Sequence, residues 1–299
     1  MISLKHLKYA LAVKEFLHFK KAADACAISQ STLSTAINDL EAQLGFKVFE
    51  RDNKKVLVTT LGQQMLLMAD DIMMQMNDLT GLADTIKAPL SGSFSVGIIP
   101  TIAPYLLPLM LPALAEHYPR LALQVDEDQS HHLVAKVLSG QLDTAILALP
   151  YDCEGLLTFE FWEENFYLVT SIENELSQLA SVKSEDIRLS NLMLLKDGHC
   201  LKDHALAVCE VNINTPFSIG GSSLNTLVEL VAGGLGTTLI PEMGLQQLVN
   251  HHPRLRAIPL NEPGPHRRIA FAVRPNYPAL ENIERLKKLL SSQLVELIA

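Results

Sequence analysis

Two cysteines, Cys200 and Cys209, lie nine positions apart in the segment DGHCLKDHALAVC. A cysteine reacts as its thiolate, so a reactive thiol needs surroundings that favour negative charge. If LKDHALAV forms a helix, Cys200 lies at its N-terminus, where the macrodipole and the free N–H groups favour an anion. Three possible donors or cations and one opposing carboxylate lie nearby: His199, Lys202, His204 and Asp203. The segment predicts a reactive thiol at Cys200, with two ordinary buried cysteines as the alternative.

The composition is that of a folded protein of about two domains. Of 299 residues, 48% are hydrophobic and 19% are charged, which excludes a disordered chain. The N-terminal segment MISLKHLKYALAVKEF contains scattered lysines and no uninterrupted apolar run, so we predict neither a signal peptide nor a membrane partner. We therefore expect a cytoplasmic protein, and in the cytosol disulfides are usually catalytic or sensory.

The net charge of −9 hides an asymmetry along the chain. Residues 1–65 carry nine Lys and Arg against six Asp and Glu, whereas the remainder carries 15 against 27. A mildly basic head on an acidic body is typical of a small DNA-binding module joined to a domain with another task.

Residues 1–58 are predicted to form a winged helix-turn-helix. In SQSTLSTAINDLEAQLG, Ser29 is a candidate N-cap, and one helical face is apolar. The apolar face consists of Leu33, Ile37, Leu40 and Leu44. The segment FKVFERDNKKVLVTT then predicts two short strands around a polar turn, which would be the wing.

Residues 59–87 predict a long linker helix, which Thr59 or Thr60 caps. Its apolar residues recur at three- and four-residue steps and form a seam of Met65, Met68, Ile72, Met76, Leu79, Ala83 and Ile86. Such a seam is typical of a coiled coil and predicts a homodimer. The alternative is a helix packed on its own domain.

From residue 88 onward, strand-like runs alternate with helical stretches, so the predicted fold class is α/β with parallel sheets. The predicted strands are FSVGII, LALQVDE, TAILAL, FYLVT, LMLL, FSIG, TTLI and IAFAV. We expect two α/β subdomains with a cleft between them, residues 88–162 with 268–299 and residues 163–267. The segment GGLG lacks the Lys-Ser/Thr of a phosphate loop and is expected to end a helix.

The segment HFKKAADACAISQSTLSTAINDLEAQLGFKVFER resembles the winged helix-turn-helix of LysR-type transcriptional regulators. The long helix and a two-lobed, periplasmic-binding-protein-like effector domain follow in that family's order, and the resemblance covers the whole chain. The segments GIIPTIAPYLLP, LDTAILAL, LLKDGHCLKDHALAVC and GGLGTTLIP are similar to the peroxide-sensing members. The resemblance implies an activator of oxidative-stress genes that is not an enzyme and needs no cofactor.

For the N-terminal module, the resemblance implies contacts with double-stranded promoter DNA. It assigns these contacts to Gln30, Ser31, Thr32, Ser34 and Arg51. Short polar side chains there would hydrogen bond to base edges and phosphates. Alternatively, Ser29 is only a cap and the polar face is only solvated.

The chain departs from the family pattern at Ser31, where a proline is usual, and at Asn38 and Asp39, where basic residues are usual. Since Asp39 would repel phosphate, we expect DNA binding with a shallow salt dependence or an unusual operator.

For the thiols, the resemblance implies that hydrogen peroxide oxidises Cys200 and that Cys209 then forms a disulfide with it. It assigns peroxide binding to Thr101, Ser130, His199 and Arg267, with Ser130 in place of the usual threonine. Nine residues of helix rise ~13.5 Å, whereas a disulfide requires Cα atoms within ~7 Å. A helical segment would therefore have to unwind. Alternatively, Thr101 is only a helix cap and Arg267 only pairs with an acidic neighbour.

The expected assembly is a homodimer through the linker helix and a homotetramer through the effector domains, with RNA polymerase as a further partner. Two alternatives remain open: a cysteine-dependent peroxidase, and a LysR-type regulator whose cleft binds a small organic effector. The histidine pairs at 131–132 and 251–252 lack a third spaced ligand, so we predict no metal site. Cys26 is expected to pack in a helix and Cys153 to lie in a loop.

Overall fold

A computed structural model describes residues 1–52, 55–87, 89–187, 191–196, 200–208, 221 and 223–298. The chain separates into two compact units, Met1–Ala83 and Asp84–Ala299.

The N-terminal unit is a winged helix-turn-helix, as the sequence predicts. Its elements are α1 (Leu4–Phe16), α2 (Phe19–Ala25), α3 (Gln30–Leu44), β1 (Phe49–Asp52), β2 (Lys55–Val58) and the first part of α4 (Thr60–Lys87). The two strands pair antiparallel, with Phe49 opposite Val58, and form the wing.

Helix α3 begins and ends as its sequence indicates. The Ser29 hydroxyl accepts a hydrogen bond from the Thr32 N–H at 3.1 Å, which confirms the N-cap. The helix ends at Gly45, whose φ of 77° lies in the left-handed region that favours glycine. The predicted apolar face packs inward, with Leu33, Ile37 and Leu40 fully buried and Leu44 half-buried.

A buried carboxylate fixes the wing to α3. Glu41 accepts hydrogen bonds from the backbone N–H groups of Val48 and Phe49 at 3.0 and 3.1 Å. It also pairs with the exposed ammonium of Lys47 at 2.7 Å. Three donors therefore satisfy a charge that would otherwise be costly to bury.

Helix α4 is capped by Thr59, whose hydroxyl accepts from the Gly62 N–H at 2.9 Å and donates to the Lys47 carbonyl at 2.7 Å. Two apolar side chains of its N-terminal half, those of Leu66 and Ala69, are buried. Much of the predicted seam is exposed, including Met68 at 67% and Leu79 at 62%. The side chains of the last two seam residues lie outside the described part of the chain.

The C-terminal unit contains two sheets with helices packed on them. In chain order its elements are β3 (Gly92–Ile98), α5 (Ala103–His117), β4 (Leu121–Glu127), α6 (Ser130–Leu138), β5 (Thr144–Leu149), β6 (Leu157–Glu164), β7 (Phe166–Ser171), two short 3-10 turns (Glu175–Gln178 and Ser184–Asp186), α7 (Cys200–Val208), α8 (Leu224–Ala232), β8 (Thr238–Pro241), α9 (Glu242–Leu248), β9 (Leu255–Pro259), β10 (Arg267–Val273) and α10 (Leu280–Ile298). Helix α10 packs against β6 and α5, and α8 packs against β7 and β8.

The first sheet has the strand order β4-β3-β5-β10-β6 and the second has the order β8-β7-β9. Strand β3 is parallel to both neighbours, but β10 is antiparallel to β5 and β6, and the second sheet is antiparallel. The expectation of parallel sheets is therefore right for three strands and wrong for the others. The expectation fails in the first sheet because the chain returns from the second sheet as β10, which inserts between β5 and β6 and runs antiparallel to both.

One of the predicted strands differs from the observed structure. The segment LMLL contributes only isolated parallel bridges, Leu192 with Thr237 and Leu195 with Gly221. The segment FSIG, residues 217–220, lies outside the described residues. Strands β6 and β9 were not predicted at all, because β6 carries three glutamates and β9, LRAIP, contains an arginine and ends in proline.

The two sheets define two α/β subdomains, and the chain crosses between them twice. It leaves the first sheet between Glu164 and Phe166, and it returns between Pro259 and Arg267. Arg267 lies opposite Glu164 in the β10–β6 register, so the two crossings are adjacent. The GGLG segment ends α8 as expected, with Gly233 as the C-cap and Gly234 at a φ of 79°.

Candidate thiol site and candidate DNA-binding surface

Two strand ends and one helix start supply the side chains around the candidate thiol. Thr101 follows β3 and Ser130 follows β4, which are parallel neighbours with their carboxyl ends at the same edge of the sheet. Cys200 is the first residue of α7, so the predicted helix start is confirmed. All three residues are buried. Open α/β sheets bind ligands at this edge.

The Ser130 hydroxyl lies within hydrogen-bonding reach of the Cys200 sulfur and lowers the pKa of that thiol. Ser130 itself is the first residue of α6 and is held by that helix rather than by a flexible loop. A buried hydroxyl group therefore lies at the position where the sequence analysis expected one.

Arg267 connects this site to the crossing between the subdomains. Its Nη1 donates to the Thr101 hydroxyl and its Nη2 to the Thr101 carbonyl, both at 3.2 Å. Its Nε donates to Glu164 Oε1 at 2.7 Å. The alternative that Arg267 pairs with an acidic neighbour is thus correct, but the same guanidinium also holds the Thr101 side chain.

Glu164 is a site residue that the sequence analysis missed. Its side chain and that of Arg267 are both 0% exposed, so the pair is fully desolvated. Its second oxygen accepts from the Met243 N–H at 2.9 Å, at the start of α9. The pairing becomes visible only when β6 is recognised as a strand and placed beside β10.

Tyr105 of α5 is a second residue near Arg267 and Glu164 that the sequence did not indicate. Burial raises the pKa of its phenol to about 12, with the positive charge of Arg267 opposing the rise and the negative charge of Glu164 adding to it. The phenol is therefore neutral, and its O–H adds a donor to the interior around the buried ion pair.

Burial also raises the pKa of the Cys200 thiol above its usual value. The hydrogen bond from Ser130 and the charge of Arg267 favour the thiolate, while the charge of Asp203 opposes it. The expectation of a lowered pKa, based on the helix N-terminus, is not met, because desolvation is the larger effect.

His204 is buried and acts as a hydrogen-bond donor rather than as a cation, the two roles that the sequence left open. Its Nε2–H donates to the Pro150 carbonyl at 2.7 Å, and its Nδ1 has no hydrogen-bond partner among the described residues. Burial lowers the pKa of His204, although the Pro150 carbonyl opposes the shift. The ring is thus neutral at pH 7 and supplies no positive charge to the thiol.

Two of the expected site residues, Cys209 and His199, lie outside the described residues, as does the side chain of Lys202. The three described cysteines are free. Cys153 is half-buried in the segment between β5 and β6, which confirms its expected loop position, and Cys26 is half-buried as the C-cap of α2.

The candidate DNA-binding residues cluster at the start of α3. Gln30, Ser31 and Thr32 are exposed and Ser34 is half-buried. The Ser29 hydroxyl lies 2.8 Å from both the Ser31 and the Thr32 hydroxyls, so this end of the helix presents a connected set of hydroxyl groups. Asp39 is also exposed on α3. The backbone of Arg51 is in β1, but its side chain is outside the described residues.

Among the described residues, no three His, Cys, Asp or Glu side chains are arranged to hold a metal ion. The rings of His131 and His132 lie 3.9 Å apart between centroids and are tilted by 46°, and His132 pairs with Asp128 at 2.9 Å. No helix in the described ranges is long and apolar enough to span a membrane.

Comparison with protein families gives two matches that together cover most of the chain. Residues 4–63 match the family described as bacterial regulatory helix-turn-helix protein, lysR family. Residues 87–294 match the family described as LysR substrate binding domain.

Curated relatives and solved structures give the same result. A "probable hydrogen peroxide-inducible genes activator" of Streptomyces viridosporus is 37% identical over 297 residues, covering 99% of this chain and 95% of the relative. The "HTH-type transcriptional regulator EstR" of Acinetobacter baylyi is 40% identical over 244 residues, covering 81% of each. The H2O2-bound structure of a cysteine-to-serine mutant of Corynebacterium glutamicum OxyR aligns with a TM-score of 0.68 at 32% identity, covering 98% of this chain and 93% of that one.

Proposed function

Because this chain belongs to the LysR family of bacterial transcriptional regulators, we propose that it senses hydrogen peroxide at Cys200 and responds by changing its contacts with promoter DNA. One observation carries the proposal. A buried thiol has the Ser130 hydroxyl and the charge of Arg267 close enough to stabilise its thiolate, next to the crossing between two subdomains. The peroxide-related relatives support the same function.

The side chains around Cys200 have distinct roles in the proposed reaction with peroxide. Peroxide binds with one oxygen in line with the Cys200 sulfur, and its leaving oxygen needs hydrogen-bond donors. Thr101, Ser130 and Arg267 supply them, since a guanidinium has five N–H groups and its bonds to Thr101 and Glu164 do not use all of them. His199 is assigned to the same site on the resemblance. Attack forms a sulfenic acid on Cys200 and releases hydroxide.

The raised pKa makes Cys200 mostly a thiol at neutral pH. The reaction then proceeds through a minor thiolate fraction, which Ser130 and Arg267 stabilise as it forms. Burial in the apolar interior also limits access by larger oxidants.

Cys209 is proposed to convert the sulfenic acid to a disulfide, with release of water. Helix α7 is continuous from Cys200 to Val208, a rise of roughly 12 Å. Since a disulfide needs Cα atoms within ~7 Å, α7 has to unwind. Unwinding removes the buried side chains of His204 and Ala205 from the interior, so local chemistry becomes a change of tertiary packing.

The other proposed interactions, with DNA and between subunits, are divided between the two units. Gln30, Ser31, Thr32 and Ser34, with Arg51 in the wing, are proposed to contact promoter DNA. The exposed seam of α4 is proposed to form the homodimer, and the effector domains a homotetramer in the cytoplasm. RNA polymerase is the proposed downstream partner, and the protein acts as a regulator rather than as an enzyme.

A second candidate is a regulator in which a small organic effector binds at the same crossing and the cysteines are inert. It is favoured by the 40% identical relative, whose description names no peroxide. It predicts that alkylation of Cys200 leaves the DNA response unchanged, whereas the peroxide proposal predicts that alkylation abolishes it.

The decisive test is to treat the reduced protein with equimolar H2O2 and to map its thiols by differential alkylation and mass spectrometry. We expect a Cys200–Cys209 disulfide, and Cys200→Ser should abolish it. Cys26→Ser is the matched control and should leave the bond unchanged. Free thiols at both Cys200 and Cys209 after treatment would refute peroxide sensing and favour the organic effector.

A further inference from the structure

Cys153 is a free, half-buried thiol in the segment that is hydrogen bonded to α7 through the Pro150 carbonyl, and it has no role in the peroxide reaction as proposed above. We propose that Cys153 is a second resolving cysteine, which captures oxidised Cys200 as a Cys153–Cys200 disulfide while α7 remains helical. This inference rests on the proposed peroxide reaction at Cys200. It adds a product that competes with the Cys200–Cys209 bond.

The segment containing Cys153 is tied to α7. His204 lies one helical turn after Cys200 on the same face, and its Nε2–H donates to the Pro150 carbonyl at 2.7 Å. Cys153 follows Pro150 by three residues, which span at most roughly 10 Å even when extended. Cys153 and Cys200 also pack on the same hydrophobic core.

The two thiols are close enough for the charge of one to affect the pKa of the other. Burial raises the pKa of Cys153, and the charges of Asp152 and of a Cys200 thiolate raise it further. Burial raises the pKa of Tyr151, which lies between Pro150 and Cys153. The charges that Cys200 and Cys153 carry as thiolates raise it further. Burial is the larger cause of the raised pKa of Cys153, so this thiol, like Cys200, reacts through a minor thiolate fraction.

The two resolving thiols have different structural costs. Cys153 lies in a segment without regular secondary structure, where its carbonyl accepts one turn bond from the Leu156 N–H at 2.9 Å. Its movement towards Cys200 breaks no strand pairing. A bond from Cys200 to Cys209 instead requires α7 to lose its helical hydrogen bonds.

The reaction balances with peroxide as the only oxidant. The Cys200 thiolate attacks one peroxide oxygen, the O–O bond breaks, and Cys200 becomes a sulfenic acid as hydroxide leaves. The Cys153 sulfur then attacks the Cys200 sulfur, the S–O bond breaks, and the hydroxyl leaves as water with the Cys153 proton. In total one H2O2 is reduced to two waters and two thiols are oxidised to one disulfide.

The Cys153–Cys200 disulfide differs from the Cys200–Cys209 disulfide in its effect on the protein as well as in the cysteine that joins Cys200. A Cys153–Cys200 bond prevents a second peroxide from oxidising Cys200 irreversibly to the sulfinic acid. Because it leaves α7 folded, it also leaves His204 in place. The bond therefore protects the sensor without sending the signal that unwinding of α7 provides.

The test uses the full-length Cys209→Ser variant, treated with one equivalent of H2O2 and mapped by mass spectrometry. We expect two titratable thiols per chain to be lost, a linked Cys153–Cys200 peptide, and unchanged hydrogen-exchange protection of α7. The matched control is Cys209→Ser combined with Cys26→Ser, which should give the same linked peptide.

The variant Cys153→Ser/Cys209→Ser separates this inference from the proposed function. It should form no disulfide, and dimedone should label Cys200. If dimedone labels Cys200 in the single Cys209→Ser variant while Cys153 stays free, or if Cys200 links two chains instead, the role of Cys153 is overturned and peroxide sensing stands. If dimedone labels Cys200 in neither variant and no disulfide forms, peroxide sensing itself is overturned.

Discussion

Glu164 provides the negative charge that allows Arg267 to be buried beside the thiol site. Glu164→Gln leaves that guanidinium without its counter-ion, and breaking a buried pair costs roughly 3–5 kcal/mol. The uncompensated positive charge also acts more strongly on Cys200, so the pKa of the thiol should fall. Thermal unfolding and the pH dependence of Cys200 alkylation measure the two effects.

A neighbouring exposed pair provides the control for this substitution. Arg268 pairs with Glu160 at 2.9 Å on the same two strands, but both side chains are more than 40% exposed. Glu160→Gln should therefore cost less than about 1 kcal/mol and leave Cys200 unchanged. Equal effects of the two substitutions would contradict the role of the buried pair.

Ser130 is expected to control how easily Cys200 ionises. Ser130→Ala removes the hydrogen bond that favours the thiolate, so the pKa of Cys200 should rise further and peroxide should react about tenfold more slowly at pH 7. In the native chain the rate should still be rising with pH at the usual thiol pKa of ~8.5, because burial holds the pKa above that value. Stopped-flow measurement of Cys200 oxidation gives both quantities.

Two further variants make this measurement specific. Ser130→Thr retains the hydroxyl and should restore most of the rate. Ser139→Ala removes an exposed hydroxyl at the other end of α6, where it donates to the Lys136 carbonyl, and should change nothing. A rate that is independent of pH between 7 and 9 would show that Cys200 is already ionised.

At the scale of elements, α7 is held to the Pro150 segment through the neutral, buried imidazole of His204. Its pKa in the folded protein is lowered by burial and by the charge of Arg267, with the Pro150 carbonyl and Asp203 opposing. Below the usual pKa of ~6.5, the unfolded chain therefore binds a proton that the folded chain does not. Stability should fall as the pH falls through this window, by at most about 1.4 kcal/mol per pH unit.

His204→Gln should remove this pH dependence, since glutamine keeps a donor for the Pro150 carbonyl and does not titrate. The free energy of unfolding in urea at pH 5.5 and 7.5 gives the comparison for both proteins, and hydrogen exchange of α7 locates the change. If the two proteins lose the same stability on acidification, another group is responsible.

The elements that the sequence predicted well are those whose signals are local. The Ser29 cap, the buried face from Leu33 to Leu40 and the start of α7 at Cys200 each depend on neighbouring residues along the chain. Strand β5, TAILAL, is buried on both faces and therefore reads as a continuous apolar run.

The features that the sequence did not predict depend on distant partners. Strand β6 has the charged sequence LTFEFWEE, and its pairing with β10 brings together Glu164 and Arg267, which are 103 positions apart. The sign of the Cys200 pKa shift likewise follows from burial in the assembled interior, which helix position alone does not reveal.

At the scale of the whole molecule, charge is divided between the two units. The acidic excess lies beyond residue 65, while the DNA-binding head is only mildly basic and presents Asp39 on α3. Each phosphate neutralised by a protein cation contributes a slope of roughly −0.9 to log K against log salt. A head that is only mildly basic, and that has one exposed carboxylate on its recognition helix, should therefore bind DNA with a shallow salt dependence.

Asp39→Arg tests whether this carboxylate acts at the DNA. The substitution should raise affinity for promoter DNA at low salt and steepen the slope by about one contact, roughly 0.9, because a repulsion is replaced by a phosphate contact. Glu281→Arg makes the same change in net charge on the exposed start of α10, in the C-terminal unit, and should leave the slope unaltered. Fluorescence anisotropy with operator DNA across a salt series measures both. Equal slopes for the two variants would mean that total charge, rather than the position of Asp39 on α3, governs binding.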